Sequence, residues 1–122
     1  MSSYIGRFAP SPTGPLHLGS LVAAVGSYLD AKANAGQWLL RIEDLDPPRE
    51  MEGAAELIPF QLEAHGLFWD QAISYQSQRL DIYQEELQRL IDARQAFACD
   101  CSRQRIKSIG GCLLYTSDAA DD

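Results

Sequence analysis

Apolar positions along the first hundred residues recur at two periods, and the switches between them predict the elements. YIGRFAP, near the N-terminus, is short and apolar enough for a buried strand. Leu21, Val22, Val25, Leu29 and Ala33 then fall at helical spacing. They predict a helix over 18–35 with that stripe toward the core and Gly36 as its stop. QWLLRIEDLD predicts a second buried strand, because its apolar centre, 38–42, is too short for a helix. DPPRE predicts a loop, with Pro47 and Pro48 suited to the first turn of a helix. MEGAAELIPFQLEAHG reads as that helix, kinked or broken at Pro59. LFWDQAISYQS reads as a connector with a short strand. SQRLDIYQEELQRLIDARQ predicts an amphipathic helix whose one face holds Leu80, Tyr83, Leu87, Leu90 and Ile91. AFACDC predicts a last short strand, and SRQRIKSIGG a polar turn or helix.

Strands alternating with helices predict an α/β fold, a Rossmann-type open parallel sheet. Ligands of such sheets sit at the carboxyl ends of the strands. RFAPSPTGPLHLGS lies there, just after the first strand, with three prolines and two glycines. A strand-to-helix loop brings unpaired N–H groups and the positive end of a helix dipole to a phosphate. Gly14 lets the backbone approach a nucleotide, and Gly19 lets a base or ribose lie against the helix. His17 can donate to phosphate oxygens as charge builds. No Gly-Lys-Ser/Thr is present, so this is not a Walker loop. Read alone, His17 is more simply a polar residue opening a helix after a proline-stiffened loop.

The composition narrows the picture. At 122 residues, 46% hydrophobic and 22% charged, the chain has the size and balance of one soluble domain. A net charge of −7 speaks against gripping nucleic acid by bulk electrostatics. No secretory signal or apolar span is evident, which places the chain in the cytoplasm, away from membranes. Three cysteines in a reducing compartment read as metal ligands or small buried residues rather than as a disulfide framework. Cys99 and Cys101 are one residue apart, unlike the common zinc spacing, and alternate positions of a strand would bury both. Trp38, Leu40 and Ile42 read as core and His65 as a helix cap. Asp44 and Asp46 read as a solvated turn, with Asp44 orienting its neighbours. Glu85, Glu86 and Arg89 read as an exposed helix face. CLLYTSDAADD shows no period and looks like one reading frame of a sequencing adapter, so 112–122 reads as a non-native tail.

RFAPSPTGPLHLGS, followed by LLRIEDLD, resembles the catalytic domain of class I glutamyl-tRNA synthetases over residues 4–111. His17-Leu18-Gly19-Ser20 matches the His-Ile-Gly-His signature, with Ser20 in place of the second histidine. RIEDLDPPRE, the QSQR at 76–79, Cys-Asp-Cys and SIGG look closer to the shortened paralogues, the glutamyl-queuosine tRNA(Asp) synthetases. The resemblance implies a partial catalytic domain over 1–111, with a zinc-binding insertion starting at 99–111. It implies a ligase that uses ATP with Mg2+ to form glutamyl-adenylate. The glutamate would then pass to queuosine in the anticodon loop of tRNA(Asp). The intact enzyme is expected to be a monomer. By the same resemblance, Arg7 would pair with the glutamate side-chain carboxylate, with Ser11 and the backbone at Ala9 completing the pocket. Glu43 would accept the α-ammonium, and Thr13, Gly14, His17 and Gly19 would hold ATP, His17 and Gly19 serving catalysis. Cys99 and Cys101 would be half of a zinc site whose other ligands follow Gly111. The Lys-Met-Ser-Lys-Ser-like loop is not among the 122 residues, so the chain as given is expected to be inactive. A true glutamyl-tRNA synthetase stays open as an alternative, as does a non-catalytic glutamate- or nucleotide-binding module. Another nucleotidyltransferase sharing the His-x-Gly signature fits the set Arg7, Ser11 and Glu43 less well.

Overall fold

Residues 38, 40 and 42 of the second strand are buried while 37, 39 and 41 are not, the period of a sheet with one covered face. The computed structural model describes residues 3–110; the expected tail at 112–122 lies outside them. Two compact units divide the chain, 1–83 and 84–122. In the first, β1 (Ile5–Phe8), β2 (Gln37–Ile42) and β3 (Ser74–Tyr75) form a parallel sheet in the order β1-β2-β3. Arg7 pairs in register with Leu39, and Arg41 with Ser74. α1 (Leu18–Ala33) and α2 (Ala54–Ala64) complete the core, which joins Phe8, Ala24 and Ala31 to Trp38, Leu40, Ile42, Ile58 and Leu62. Trp38 is its centre. It stacks on Phe8 with centroids 6.2 Å apart, meets Tyr28 edge-on at 5.3 Å, and donates its indole N–H to Ser27 Oγ at 2.9 Å. A buried indole needs such an acceptor.

The sheet is parallel and open, as the alternation of elements predicted, but several details differ. α1 does not bury the stripe of larger residues: Val22 is 64% and Leu29 60% exposed, while Ala24 and Ala31 are fully buried. The reason lies in β1. A Cβ built on Gly6 would come within 3.2 Å of the Ala31 Cβ and 3.5 Å of the Ser27 carbonyl, so helix and strand approach too closely for larger side chains. The left-handed residue that stops α1 is Ala35, at φ 49°, not Gly36. Gly36 answers a different need, since a Cβ there would lie 2.2 Å from the Tyr4 carbonyl oxygen, which accepts from Gln37 N. α2 starts after Gly53, at φ 81°, and runs unbroken through Pro59. AFACDC forms no strand.

β3 is only two residues long, and a side chain extends its work. The Asp70 carboxylate accepts the Trp38 N–H at 2.8 Å, and Asp70 N donates to the Trp38 carbonyl at 2.7 Å. The Trp38 N–H and carbonyl, on β2 ahead of β3, are thereby satisfied. α3 (Leu80–Asp92) carries the predicted apolar face, but none of its residues is buried. In the second unit, α4 (Arg103–Ser108) is capped by Ser102 Oγ, which accepts from Arg105 N. No helix among the described residues is long and apolar enough to cross a membrane.

Candidate active site

Prolines restrict the β1–α1 loop locally, but three contacts from elsewhere fix its place. Glu43 N donates to Pro10 O, Met51 N to Pro12 O, both at 2.9 Å, and Leu16 N donates to the Gln61 side chain at 2.8 Å. Pro12 itself is fully buried. The loop is thus fastened to the end of β2, to the turn after it and to α2. Gln61 carried no signal in the sequence, because its partner lies 45 residues away. Gly14, at φ 158°, holds a conformation that other residues rarely take. Ser11 and Thr13 are exposed on this loop and Ala9 is half-buried.

His17 is the N-cap of α1: its Nδ1 accepts the Ser20 N–H at 3.2 Å. In the neutral ring the proton then sits on Nε2, which remains a donor. Capping and phosphate binding therefore use different nitrogens, and the two readings of His17 do not compete. Gly19 belongs to the same device. A Cβ on it would lie 3.0 Å from His17 Cε1 and 3.1 Å from Nδ1, so a side chain at position 19 would press on the imidazole and make it shift.

Arg7 lines a cavity of 340 Å³ with Leu39, Arg41, Ser74, Arg79 and Tyr83. Its guanidinium has no ion-pair partner among the described residues. Arg7 and Glu43, although of opposite charge and at neighbouring strand ends, do not pair. Glu43 is held instead by Arg41, Nη2 to Oε1 at 2.6 Å. Arg41 was missed in the sequence; its signal is the i, i+2 spacing that puts it on the face of β2 shared with Glu43. Asp44 orients its neighbours more specifically than a solvated turn would. Its two oxygens accept the Ser77 N–H at 2.9 Å and the Ser77 hydroxyl at 2.6 Å. This ties the end of β2 to the 3-10 helix Gln76–Arg79, the QSQR segment, from which Arg79 reaches the cavity. His65 is the C-cap of α2, its Nδ1 donating to Gln61 O at 2.7 Å.

Cys99 and Cys101 lie in the second unit and are free thiols. A hydrogen bond from the Cys101 backbone, helped by its side chain, lowers the Cys99 pKa; bonding to Cys99 raises that of Cys101. The pair offers two soft donors. Among the described residues no third ligand joins them, and no group of three or more His, Cys, Asp or Glu forms. A structural zinc site needs four, so residues 3–110 do not by themselves fit the ion. Cys112 and Tyr115 fall outside the described residues.

Residues 5–112 match the family of class I tRNA synthetases (E and Q), catalytic domain. A protein of Vibrio vulnificus named glutamyl-Q tRNA(Asp) synthetase is 62% identical over 109 residues, which are 89% of this chain and 36% of that one. Proteins of the same name from Idiomarina loihiensis and Escherichia coli are 63% and 59% identical, over 86% and 90% of this chain and 37% and 36% of theirs. This chain thus spans little more than a third of the length of these relatives. Among solved structures, a glutamate tRNA ligase of Elizabethkingia meningosepticum, in complex with its amino acid, superposes with a TM-score of 0.71 at 35% identity. The match covers 88% of this chain and 23% of that one.

Proposed function

The chain belongs to the catalytic-domain family of the class I tRNA synthetases (E and Q), and on that premise we propose that it carries the glutamate- and ATP-binding edge of an enzyme that forms glutamyl-adenylate. The observation that carries the reading is Arg7, an unpaired guanidinium lining a cavity that Arg41 also lines, with Arg41 in turn holding the carboxylate of Glu43. A substrate with an ammonium and an acidic side chain suits that pair of opposite charges. Arg7 receives the side-chain carboxylate in the forked geometry guanidinium favours, with Ser11 and the Ala9 backbone beside it. Glu43 accepts the α-ammonium. Thr13, Gly14, His17 and Gly19 would hold ATP, which brings Mg2+ with it, and the His17 Nε2–H would be the donor to phosphate oxygens. In the reaction a carboxylate oxygen of glutamate bonds to the α-phosphorus of ATP and the bond to pyrophosphate breaks. No protein nucleophile is required; the residues position reactants and offset developing charge.

The acceptor we propose is queuosine in the anticodon loop of tRNA(Asp), the reading supported by the names of relatives at 59–63% identity. Cys99 and Cys101 would be two ligands of a zinc ion, completed by donors that follow Gly111, and would start an insertion at 99–111 of a catalytic domain that takes in 1–111. Residues 112–122 lie at and beyond the end of the family match and have no part in this site. The enzyme works as a cytoplasmic monomer. The test is glutamate-dependent ATP–pyrophosphate exchange by the full-length protein, followed by glutamylation of tRNA(Asp) with and without queuosine and of tRNA(Glu). Transfer to tRNA(Glu) instead would make it a glutamyl-tRNA synthetase, and binding without exchange a non-catalytic module. Arg7→Ala should raise the glutamate KM roughly 30-fold or more, from the 2–5 kcal/mol at stake when one partner of a charge pair is cut away. The KM for ATP should stay within about twofold; an equal rise in both would sink the role given to Arg7.

A further inference from the structure

Arg41 occupies a position that packing alone would not give to an arginine. Its Nε–H is buried and has no acceptor among the described residues, a state that costs stability and that an apolar side chain of similar length would avoid. Its other contacts point to what it does there. Nη2 holds Glu43 Oε1 at 2.6 Å, in a pair where both side chains are about a third exposed or less, at 26% and 32%. The Glu43 backbone is fixed as well, through its N–H to Pro10 O at 2.9 Å. The second carboxylate oxygen, Oε2, has no partner among the described residues. Arg41 also lines the cavity that Arg7 enters. It stands on the sheet face that Arg7 shares through its register partner Leu39.

We propose that Arg41 is a positioning residue for the amino end of the substrate: it holds one oxygen of Glu43 so that the other is presented to the α-ammonium. The inference rests on the reading that Glu43 receives that ammonium. Arg41 performs a second service in the same contact. Glu43 and Arg7 attract one another, and a Glu43–Arg7 pair would occupy both groups that the substrate needs. With Glu43 held by Arg41, Arg7 and Glu43 do not pair and both stay available.

The test is steady-state exchange by the full-length protein and its variants Arg41→Met, Arg41→Lys, Glu43→Gln and the double variant Arg41→Met/Glu43→Gln, with a melting temperature for each. Arg41→Met should raise the glutamate KM about tenfold, leave the ATP KM within about twofold, and leave the melting temperature equal or higher. Arg41→Lys, which restores a cation, should recover part of the loss. In the double variant Arg41→Met should add little to the effect of Glu43→Gln, because nothing remains to be positioned. If Glu43→Gln raises the glutamate KM and Arg41→Met does not, Arg41 has no positioning role and the reading of Glu43 stands. If Arg41→Met lowers the melting temperature and raises both KM values together, the arginine is structural and the proposal is overturned. If Glu43→Gln leaves the glutamate KM unchanged, the reading of Glu43 falls and the proposal with it.

Discussion

At the scale of single residues, the groups that shape this protein act in pairs that are remote in sequence or hidden in spacing. His17 and Gly19 are packed together, the ring that caps α1 lying where a side chain at position 19 would crowd it. Asp70 is another case, a carboxylate that stands in for a missing strand. Its pKa is lowered, first by the Trp38 N–H and then by Lys32, whose ammonium lies 3.4 Å away. A depressed carboxylate pKa means that the folded state favours the ionised form, so the stabilisation is full above the ordinary value of 3.8 and is lost as pH falls through the folded value. Asp70→Asn should therefore lower the melting temperature at pH 7, and the gap from the parent protein should close on acidification below 3.8. A gap that stays constant from neutral to strongly acid pH would show that the charge of Asp70 is not what matters.

At the scale of elements, α1 shows how a correct period can be assigned to the wrong face. Two helical stripes run along it, one of large residues through Val22, Val25 and Leu29, and one of small residues through Ala24, Ser27 and Ala31. Transfer free energy favours burying the first. The close approach of Gly6 to Ala31 admits only the second. Ala24→Leu should consequently destabilise the protein by about 1–3 kcal/mol through overpacking. Val22→Ser should change it by less than about 0.5 kcal/mol, as exposed sites do. Chemical denaturation of the two variants checks the assignment, and the reverse order would restore the larger stripe to the core. Pro59 teaches a related lesson. A helix five residues old when it meets proline loses one N–H bond, yet Ile58 and Leu62 on either side of it are fully buried, and their packing keeps α2 continuous.

At the scale of the whole molecule, the described sheet has three strands, and the chain spans 36% of the length of its Vibrio vulnificus relative. The 122-residue chain by itself should give no glutamate-dependent ATP–pyrophosphate exchange, whereas the full-length protein should. Exchange by the short chain would overturn that expectation and place the whole catalytic apparatus within these residues.

What the sequence determined by itself was local in origin. The alternation in QWLLRI fixed which face of β2 is buried, the order of strands and helices fixed a parallel α/β sheet, and RFAPSPTGPLHLGS with LLRIEDLD carried the resemblance to the family that residues 5–112 match. These features are written in neighbouring residues, through backbone sterics and side-chain period, and need no partner to be read. The tertiary structure decided what depends on groups brought together from far apart. It chose the face of α1 through Gly6, replaced the first rung of β3 with Asp70, fastened the loop through Gln61, and tied QSQR to β2 through Asp44. It also decided that Glu43 belongs to Arg41 and leaves Arg7 free. An ion pair is settled by distance and by competing partners, and no spacing along the chain records either.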